Sequence, residues 1–187
     1  MEMRTLNRAT QFRANENNGK KYIEGYFAVF GDVYEIWDDM TESVDRHAFD
    51  ETLDGDIRAL VNHDTTLVLG RSKAGTAEFR VDDHGLWGSV EINPNDTDAT
   101  NTWERVKRGD VNQASFGFEI ISETATRNGD KVHYTLMKVR LHEVSVCTFP
   151  AYNSTELSAR GADEKHIKKR RFELWKSQQE ERMNKWH

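Results

Sequence analysis

The nine residues NQASFGFEI, at positions 112–120, predict how the chain folds. Apolar residues alternate along this stretch with polar or small ones, and such a two-residue period is typical of a β-strand with one buried face. The apolar set is Ala114, Phe116, Phe118 and Ile120. The other face carries Ser115 and Gly117, where an ordinary strand would carry branched or long side chains. We therefore expect either that another backbone approaches closely there, or that the hydroxyl must be reached from outside.

Other segments also alternate between apolar and polar residues, so most of the chain is predicted to be β-structure. The predicted strand segments are residues 21–36, residues 56–64, a hairpin at 76–93, and a strand from about Val132 that either breaks near Leu141 or bends into a second strand ending at Pro150. In the segment 56–64, Ile57 and His63 share one face. Many short strands favour an antiparallel barrel or sandwich.

Helices are predicted at only two places in this part of the chain. Residues 45–53 indicate a short helix, and a longer helix is predicted to begin near Asp96 or Thr97 and to end at Gly109, because glycine is favoured after the last helical turn. Residues 1–20 are polar and are predicted to be irregular. Together with the strands, this predicts a mainly β domain of the α+β class.

Composition limits the function classes. The chain has 187 residues, 36% of them hydrophobic and 31% charged, which fits one soluble domain. No apolar run approaches the roughly 18 residues of a spanning helix, and we expect no signal peptide. A single cysteine, Cys147, excludes an internal disulfide framework and a cysteine-based zinc site, and it suits a reducing compartment.

Charge separates a body from a tail. The net charge is -6, but residues 160–187 carry nine Lys or Arg against five Asp or Glu, so the rest of the chain is strongly acidic. This distribution argues against nucleic-acid binding, which needs a basic face. We predict a domain at residues 1–155 and a charged helical tail at 156–187. The tail is either a solvated helix or an element that docks on an acidic partner.

Three residue types are needed for nucleophilic hydrolysis: a nucleophile, a base in hydrogen-bonding reach, and a group that orients the base. Ser115 is a suitable nucleophile because its strand neighbours are small or polar. Among the seven histidines, the predicted positions leave His63 and His142 as bases. His63 lies at a strand end, although it could instead be satisfied by Asp64. Glu143 could pair with a histidine, or else with Arg140 or Lys138.

Five stretches in this order carry a family resemblance. They are GYFAVFGD, HAFDETL, the run from IRALVNHD through LGRS to GSVEI, VKRGDVNQASFGFEI, and LHEVSVCTFPAY, within residues 22–153. The His-Asp step before Leu-Gly, the Ser-Phe-Gly-Phe strand and the Glu-Val-Ser strand ending at Pro-Ala are a specific combination. The chain resembles the prohead proteases of tailed phages, which are related in fold to the herpesvirus assemblins.

The resemblance implies a fold and a catalytic set. The expected fold is the antiparallel β-barrel of the assemblin type, followed by the helical tail. Ser115 resembles the family nucleophile and His63 its base, while Glu143 stands where the phage enzymes have their acidic third member. Assemblins use a second histidine as the third member, so His142 is the alternative. No metal or organic cofactor is implied.

The resemblance also implies substrates and a setting. The enzyme would cleave the scaffolding protein, or the scaffolding segment of the major capsid protein, and itself. It would act as at least a dimer in the host cytoplasm, inside the assembling prohead, without nucleic acid or membrane as partner. The basic tail would dock on the capsid or be removed by autolysis.

Further expectations concern the surroundings of the site. Gly117 is expected to keep the face around an exposed Ser115 clear for the substrate. Backbone N–H groups of residues 70–72, together with Arg71, are a candidate oxyanion hole. Two rival functions are an inactive capsid scaffold that kept the protease fold, and a metal site. The metal site would recruit His63, Asp64, His142 and Glu143, which lack a local metal-binding spacing.

Overall fold

Most of the protein folds as β-structure, as the alternating pattern predicts. Its structure, a computed structural model, describes residues 4–9, 12–37, 39–148, 168–173, 175, 176 and 180. The strands are β1 (Arg4–Ala9), β2 (Arg13–Asn17), β3 (Lys20–Val29), β4 (Tyr34–Trp37), β5 (Met40–Val44), β6 (Arg58–Val61), β7 (Asp64–Arg71), β8 (Ala77–Val81), β9 (Gly85–Ile92), β10 (Gln113–Asn128) and β11 (Lys131–Cys147). The helical elements are a 3-10 turn (Ser72–Ala74), the helix α1 (Thr97–Arg108), and the described tail residues.

The described strands form two separate sheets. One sheet has the order β1-β10-β11-β5-β4, with β6 also paired to β11 and β7 paired to β6, and the other has the order β2-β3-β9-β8. The predicted closed antiparallel barrel is therefore not supported. The reason lies in β11, whose free edge is shared by two parallel neighbours: β5 pairs with Val132–Leu136 and β6 with Glu143–Val146. The sheet divides at this long strand and does not close on itself.

The hairpin of β10 and β11 is the longest element, and its pairing contains three register changes. Phe118 lies opposite Leu141 and Gly117 lies opposite Glu143, so His142 is an extra residue, a β-bulge. The other two shifts lie between Ile120 and Ser122 and between Ser122 and Glu123. The predicted break or bend near Leu141 is thus a bulge within one continuous strand.

Side chains from both sheets form one core. Phe116 is fully buried between Phe49, at a centroid distance of 5.5 Å, and Phe118, at 4.8 Å. Phe27 and Leu86 of the smaller sheet belong to the same cluster. Burying one such side chain stabilises a fold by roughly 1.5–3 kcal/mol, so this core fixes how the two sheets pack.

The predicted helix near residue 97 is confirmed, and so is the hairpin at 76–93. Asp96 caps α1 by accepting hydrogen bonds from the N–H groups of Asp98 and Ala99. Gly109 ends the helix with φ +83°, a conformation that favours glycine. The helix packs on the core through Trp103, which is 2% exposed.

Two local predictions are wrong. The stretch 1–20 contains β1 and β2. β1 pairs along β10 through backbone hydrogen bonds, which need no apolar period of its own. Residues 45–53 form consecutive turns in place of a helix, since their bonds join residues three apart, such as Ala48 N–H to the Asp45 carbonyl.

A buried arginine of the described tail residues, Arg170, contacts the body. The guanidinium of Arg170 donates to Glu42 at 2.8 Å and also bonds Glu123, and it lies 3.9 Å from the ring centroid of Tyr134. Glu42 is fully buried and Arg170 is 2% exposed. The guanidinium therefore compensates a carboxylate that would be costly to bury alone.

The predicted boundary near residue 155 lies outside the described residues and stays a prediction. No helix in the described part of the chain is long and apolar enough to cross a bilayer.

This contact gives a stability prediction. Arg170→Met should lower the free energy of unfolding by about 3–5 kcal/mol, because it leaves the Glu42 carboxylate buried without its cation. Urea denaturation checks this, with Lys169→Met, an exposed neighbour, as the matched control. Adding Glu42→Gln to Arg170→Met should recover part of the loss. Equal stability of the two single variants would contradict the prediction.

Candidate active site

One face of the β10–β11 ribbon collects the polar residues that the sequence singled out. Above the bulge at His142, directly opposed pairs share this face: Ser115 with Ser145, Gly117 with Glu143, and Gln113 with Cys147. Opposed residues of antiparallel strands have Cβ atoms about 4.5–5.5 Å apart. The register therefore brings Ser115 and Glu143 into one neighbourhood, on the face turned away from Phe116 and Val144.

His63 reaches this face from a turn and not from a strand. β6 ends at Val61, and Asn62 and His63 have φ values of +51° and +61°. The His63 ring places Nδ1 2.7 Å from Oε1 of Glu143. Because an ionised carboxylate only accepts, Nδ1 carries the proton and Nε2 of the neutral ring is an acceptor. That is the tautomer required of a general base oriented by a carboxylate.

Glu143 is committed to this histidine. Its side chain is 5% exposed, and Oε2 accepts a hydrogen bond of 2.6 Å from the Ser145 hydroxyl. The two alternative partners are occupied elsewhere: Arg140 pairs with Glu119 at 2.6 Å and Lys138 with Glu51 at 2.5 Å.

The alternative partner for His63 is also occupied elsewhere. The Asp64 carboxylate accepts from the N–H and the hydroxyl of Thr66, at 2.8 and 2.6 Å. The structure thus joins His63 to Glu143.

His142 does not approach His63. Its Nε2 lies 4.0 Å from Oε2 of Glu119, a residue on β10 below the bulge. Burial lowers the pKa of His142, against the opposing effect of Glu119. Of the two adjacent candidates for the third member, it is Glu143 that bonds His63, whereas His142 lies beside Glu119.

Gly117 has a different role from the one expected. A Cβ built on this glycine would lie 2.2 Å from Oε1 of Glu143 and 3.0 Å from its carboxyl carbon. The space over Gly117 is therefore filled by the carboxylate, and the expectation that it stays clear for substrate is wrong. Glycine is needed here because the Glu143 side chain crosses directly over it.

Ser115 is buried, contrary to the expected exposure. Its exposed fraction is 0%, and its Oγ has no hydrogen-bond partner among the residues that the structure describes. Nε2 of His63 lies instead 3.9 Å from the sulfur of Cys147. Burial raises the pKa of the Cys147 thiol to about 12, so it stays protonated at neutral pH and is a poor nucleophile. In this structure the His63 ring is bonded to Glu143, whereas no hydrogen bond joins it to the Ser115 hydroxyl.

In the loop proposed as an oxyanion hole, two backbone N–H groups and the Arg71 guanidinium already have hydrogen-bond partners. The N–H of Arg71 donates to Thr76 and that of Ser72 to the Ile57 carbonyl, each at 2.9 Å. The Arg71 guanidinium pairs with Asp56 at 2.7 Å, which lowers the pKa of that carboxyl to about 2. Within the described residues, no three His, Cys, Asp or Glu side chains lie close enough together to hold a metal ion.

Comparison with known proteins identifies the family to which this chain belongs. The family model described as Caudovirus prohead serine protease matches residues 8–170, most of the chain. The chain belongs to this family. The resemblance seen in the sequence is thereby confirmed, and membership places the protein among the serine proteases of phage capsid maturation. No curated protein matches the chain.

A solved structure similar to this family member is that of the bacteriophage T4 capsid assembly protease, gp21. The two are 11% identical with a TM-score of 0.48, and the match covers 80% of this chain and 100% of that chain.

Sequence reasoning did not single out Ser145 as a site residue. Its hydroxyl contacts both Glu143 and the N–H of His63. The pattern that could have found it is the spacing Glu-Val-Ser, which places two polar side chains side by side on one strand face where the flanking residues are apolar.

The fit between Gly117 and the carboxylate gives a prediction for this prohead protease. Gly117→Ala should reduce peptide hydrolysis by at least about 100-fold, since a displaced carboxylate no longer orients His63. Because the displaced carboxylate is nearly buried and loses its hydrogen bonds, the melting temperature should also fall, and rates are compared at a temperature where both proteins are folded. Rates on a peptide substrate and thermal unfolding check this.

A matched background separates displacement from general damage. In a Glu143→Ala chain the space over residue 117 is free, so adding Gly117→Ala should lower the rate no further. Equal losses in both backgrounds would contradict the account.

Proposed function

We propose that the protein is a prohead-maturation serine endopeptidase in which Ser115 is the nucleophile, His63 the base and Glu143 the orienting carboxylate. The observation that carries this is the 2.7 Å hydrogen bond between His63 Nδ1 and Glu143, on the ribbon face that holds Ser115. A serine hydroxyl is weakly nucleophilic until a base accepts its proton. Because Nδ1 is bonded to Glu143, the other ring nitrogen, Nε2, is the one that would accept this proton.

The reaction would proceed through an acyl-enzyme. Nε2 of His63 accepts the proton as Ser115 Oγ bonds to the peptide carbonyl carbon, and the carboxylate of Glu143 stabilises the imidazolium that forms. His63 then gives this proton to the leaving amine as the C–N bond breaks. Water, activated by the same nitrogen, hydrolyses the ester and restores Ser115. Each step uses only this chain's side chains, the substrate and one water molecule.

Turnover requires a change from the arrangement described above. Ser115 must be uncovered and its hydroxyl must reach Nε2, which now lies beside the Cys147 sulfur. This closed arrangement is compatible with an enzyme that stays inactive before assembly. It also gives the rival proposal, a protease-like capsid scaffold without turnover, one specific observation in its favour.

Substrates and partners follow from the family. We propose that the enzyme cleaves the scaffolding protein, or the scaffolding segment of the major capsid protein, and its own chain. Its setting would be the interior of the assembling prohead in the host cytoplasm. Self-association to at least a dimer would accompany activity, and the tail after residue 155 would dock on the capsid or be shed by autolysis.

The nucleophile can be tested by intact mass. Purified wild-type protein should shed a discrete fragment over time, faster at higher concentration, whereas Ser115→Ala should reduce this rate by at least about 1,000-fold. The new terminus identifies the bond that is cut. If neither chain changes, the measurement is repeated with the capsid protein present; an uncut capsid protein would then favour the inactive scaffold.

Covalent labelling distinguishes the nucleophile from neighbouring hydroxyls. A fluorophosphonate probe should add once to the wild type, and peptide mapping should place it on Ser115 and not on Ser145. Ser43→Ala, which removes another buried serine hydroxyl, should label like the wild type. A label on Ser145 would contradict the assignment of Ser115.

A further inference from the structure

Ser145 lies at the centre of the site without belonging to the three proposed catalytic residues. It is fully buried on β11, directly opposite Ser115 on β10 and beside Leu60 of the parallel strand β6. An isolated hydroxyl at such a position is unfavourable unless it is hydrogen-bonded. Its partners therefore explain why serine is present there.

The hydroxyl of Ser145 makes two hydrogen bonds of opposite sense. It donates to Oε2 of Glu143 at 2.6 Å and accepts from the backbone N–H of His63 at 3.1 Å. A hydroxyl has one proton and two lone pairs, so both bonds form at once. With Oε1 on the His63 ring, a closed circuit links the carboxylate, the serine, and both the backbone and the ring of the histidine.

The histidine end of this circuit needs such support. His63 has a φ of +61°, a backbone region in which residues with a Cβ are uncommon. The preceding residue is also fixed to β11, because Asn62 donates its N–H to the Val146 carbonyl at 3.0 Å and accepts from the Thr148 N–H at 2.9 Å. Ser145 is the contact that extends this attachment to His63 itself.

We propose that Ser145 is a positioning residue for the catalytic base. Its hydroxyl fixes the Glu143 carboxylate through one oxygen and the His63 backbone through the N–H, so that the ring is held with Nδ1 on the carboxylate. The inference rests on the proposed function only for its kinetic consequence. The structural consequence, an ordered His63–Glu143 hydrogen bond, holds whether or not the chain turns over substrate.

The kinetic test uses the full chain. Ser145→Ala should lower kcat by about 10- to 100-fold, as misplacement of a catalytic group does, with KM changed less than about threefold. Ser43→Ala is the matched control. Ser43 is a largely buried serine that also bonds a histidine, 2.8 Å from His133 Nε2, on β5 away from the site. It should leave both constants near the wild-type values.

The spectroscopic test is independent of turnover. In a Ser115→Ala chain with ¹⁵N-labelled histidine, the Nδ1 proton of His63 should give a downfield NMR resonance. Adding Ser145→Ala should broaden or remove that resonance, while adding Ser43→Ala should leave it. Loss of the resonance supports the positioning role even if the wild type cleaves nothing.

Two outcomes overturn the proposal. An unchanged resonance in the Ser145→Ala chain means that Glu143 and His63 hold each other without the serine, whatever the protease does. An unchanged kcat in an active wild-type background leads to the same conclusion and leaves the proposed function intact.

Discussion

The bulge at His142 determines the face of every later side chain on β11. Before it, Val139 and Leu141 enter the core; after it, Val144 and Val146 do. A one-residue slip in a strand exchanges its two faces, so without the extra residue Glu143 would share a face with Leu141 and point into the apolar core. The bulge instead turns Glu143, together with the next two odd-numbered residues, towards His63. Glu143 shares a face with Ser115 because the ladder is interrupted at His142.

A nearly buried carboxylate then sets the requirements on its neighbours. Glu143 is stable there because both oxygens are hydrogen-bonded, one to an imidazole and one to a hydroxyl. The carboxylate also needs space over residue 117. Glycine leaves that space open, although glycine weakens a strand. The same requirement appears at the other end of the ribbon, where buried Glu42 is compensated by Arg170 of the tail. Each of these residues is unfavourable by local criteria, and each occurs where a contact with a distant part of the chain stabilises it.

Sequence reasoning predicted those features that depend on local pattern. Residues close together in the sequence determine three such features: the alternation along β10, the hairpin of β8 and β9, and the capped helix α1. Features set by distant partners were missed: β1 has no apolar period and exists through pairing with β10, and the parallel placement of β5 and β6 on β11 depends on contacts far along the chain. The bulge belongs to this second group. At the site, the strand pattern placed Ser115 and Glu143, but it put His63 on a strand face, because a positive φ at a residue with a Cβ has no reliable sequence pattern.

The proposed site has two parts, the His63–Glu143 pair and Ser115. In the part of the chain that the structure describes, the first is hydrogen-bonded and the second is not, and this difference bears on how activity would be controlled. The half that is costly to build, a desolvated carboxylate bonded to an imidazole, is already assembled and supported by backbone contacts. The proposed other half is incomplete, since the buried Ser115 hydroxyl has no hydrogen-bond partner within the described ranges and the Cys147 thiol lies beside Nε2 of His63. A serine side chain rotates about a single χ1 bond, and such rotations are fast and inexpensive compared with moving a strand. Activation would therefore require uncovering and reorienting the nucleophile, with the sheet and the base left as they are.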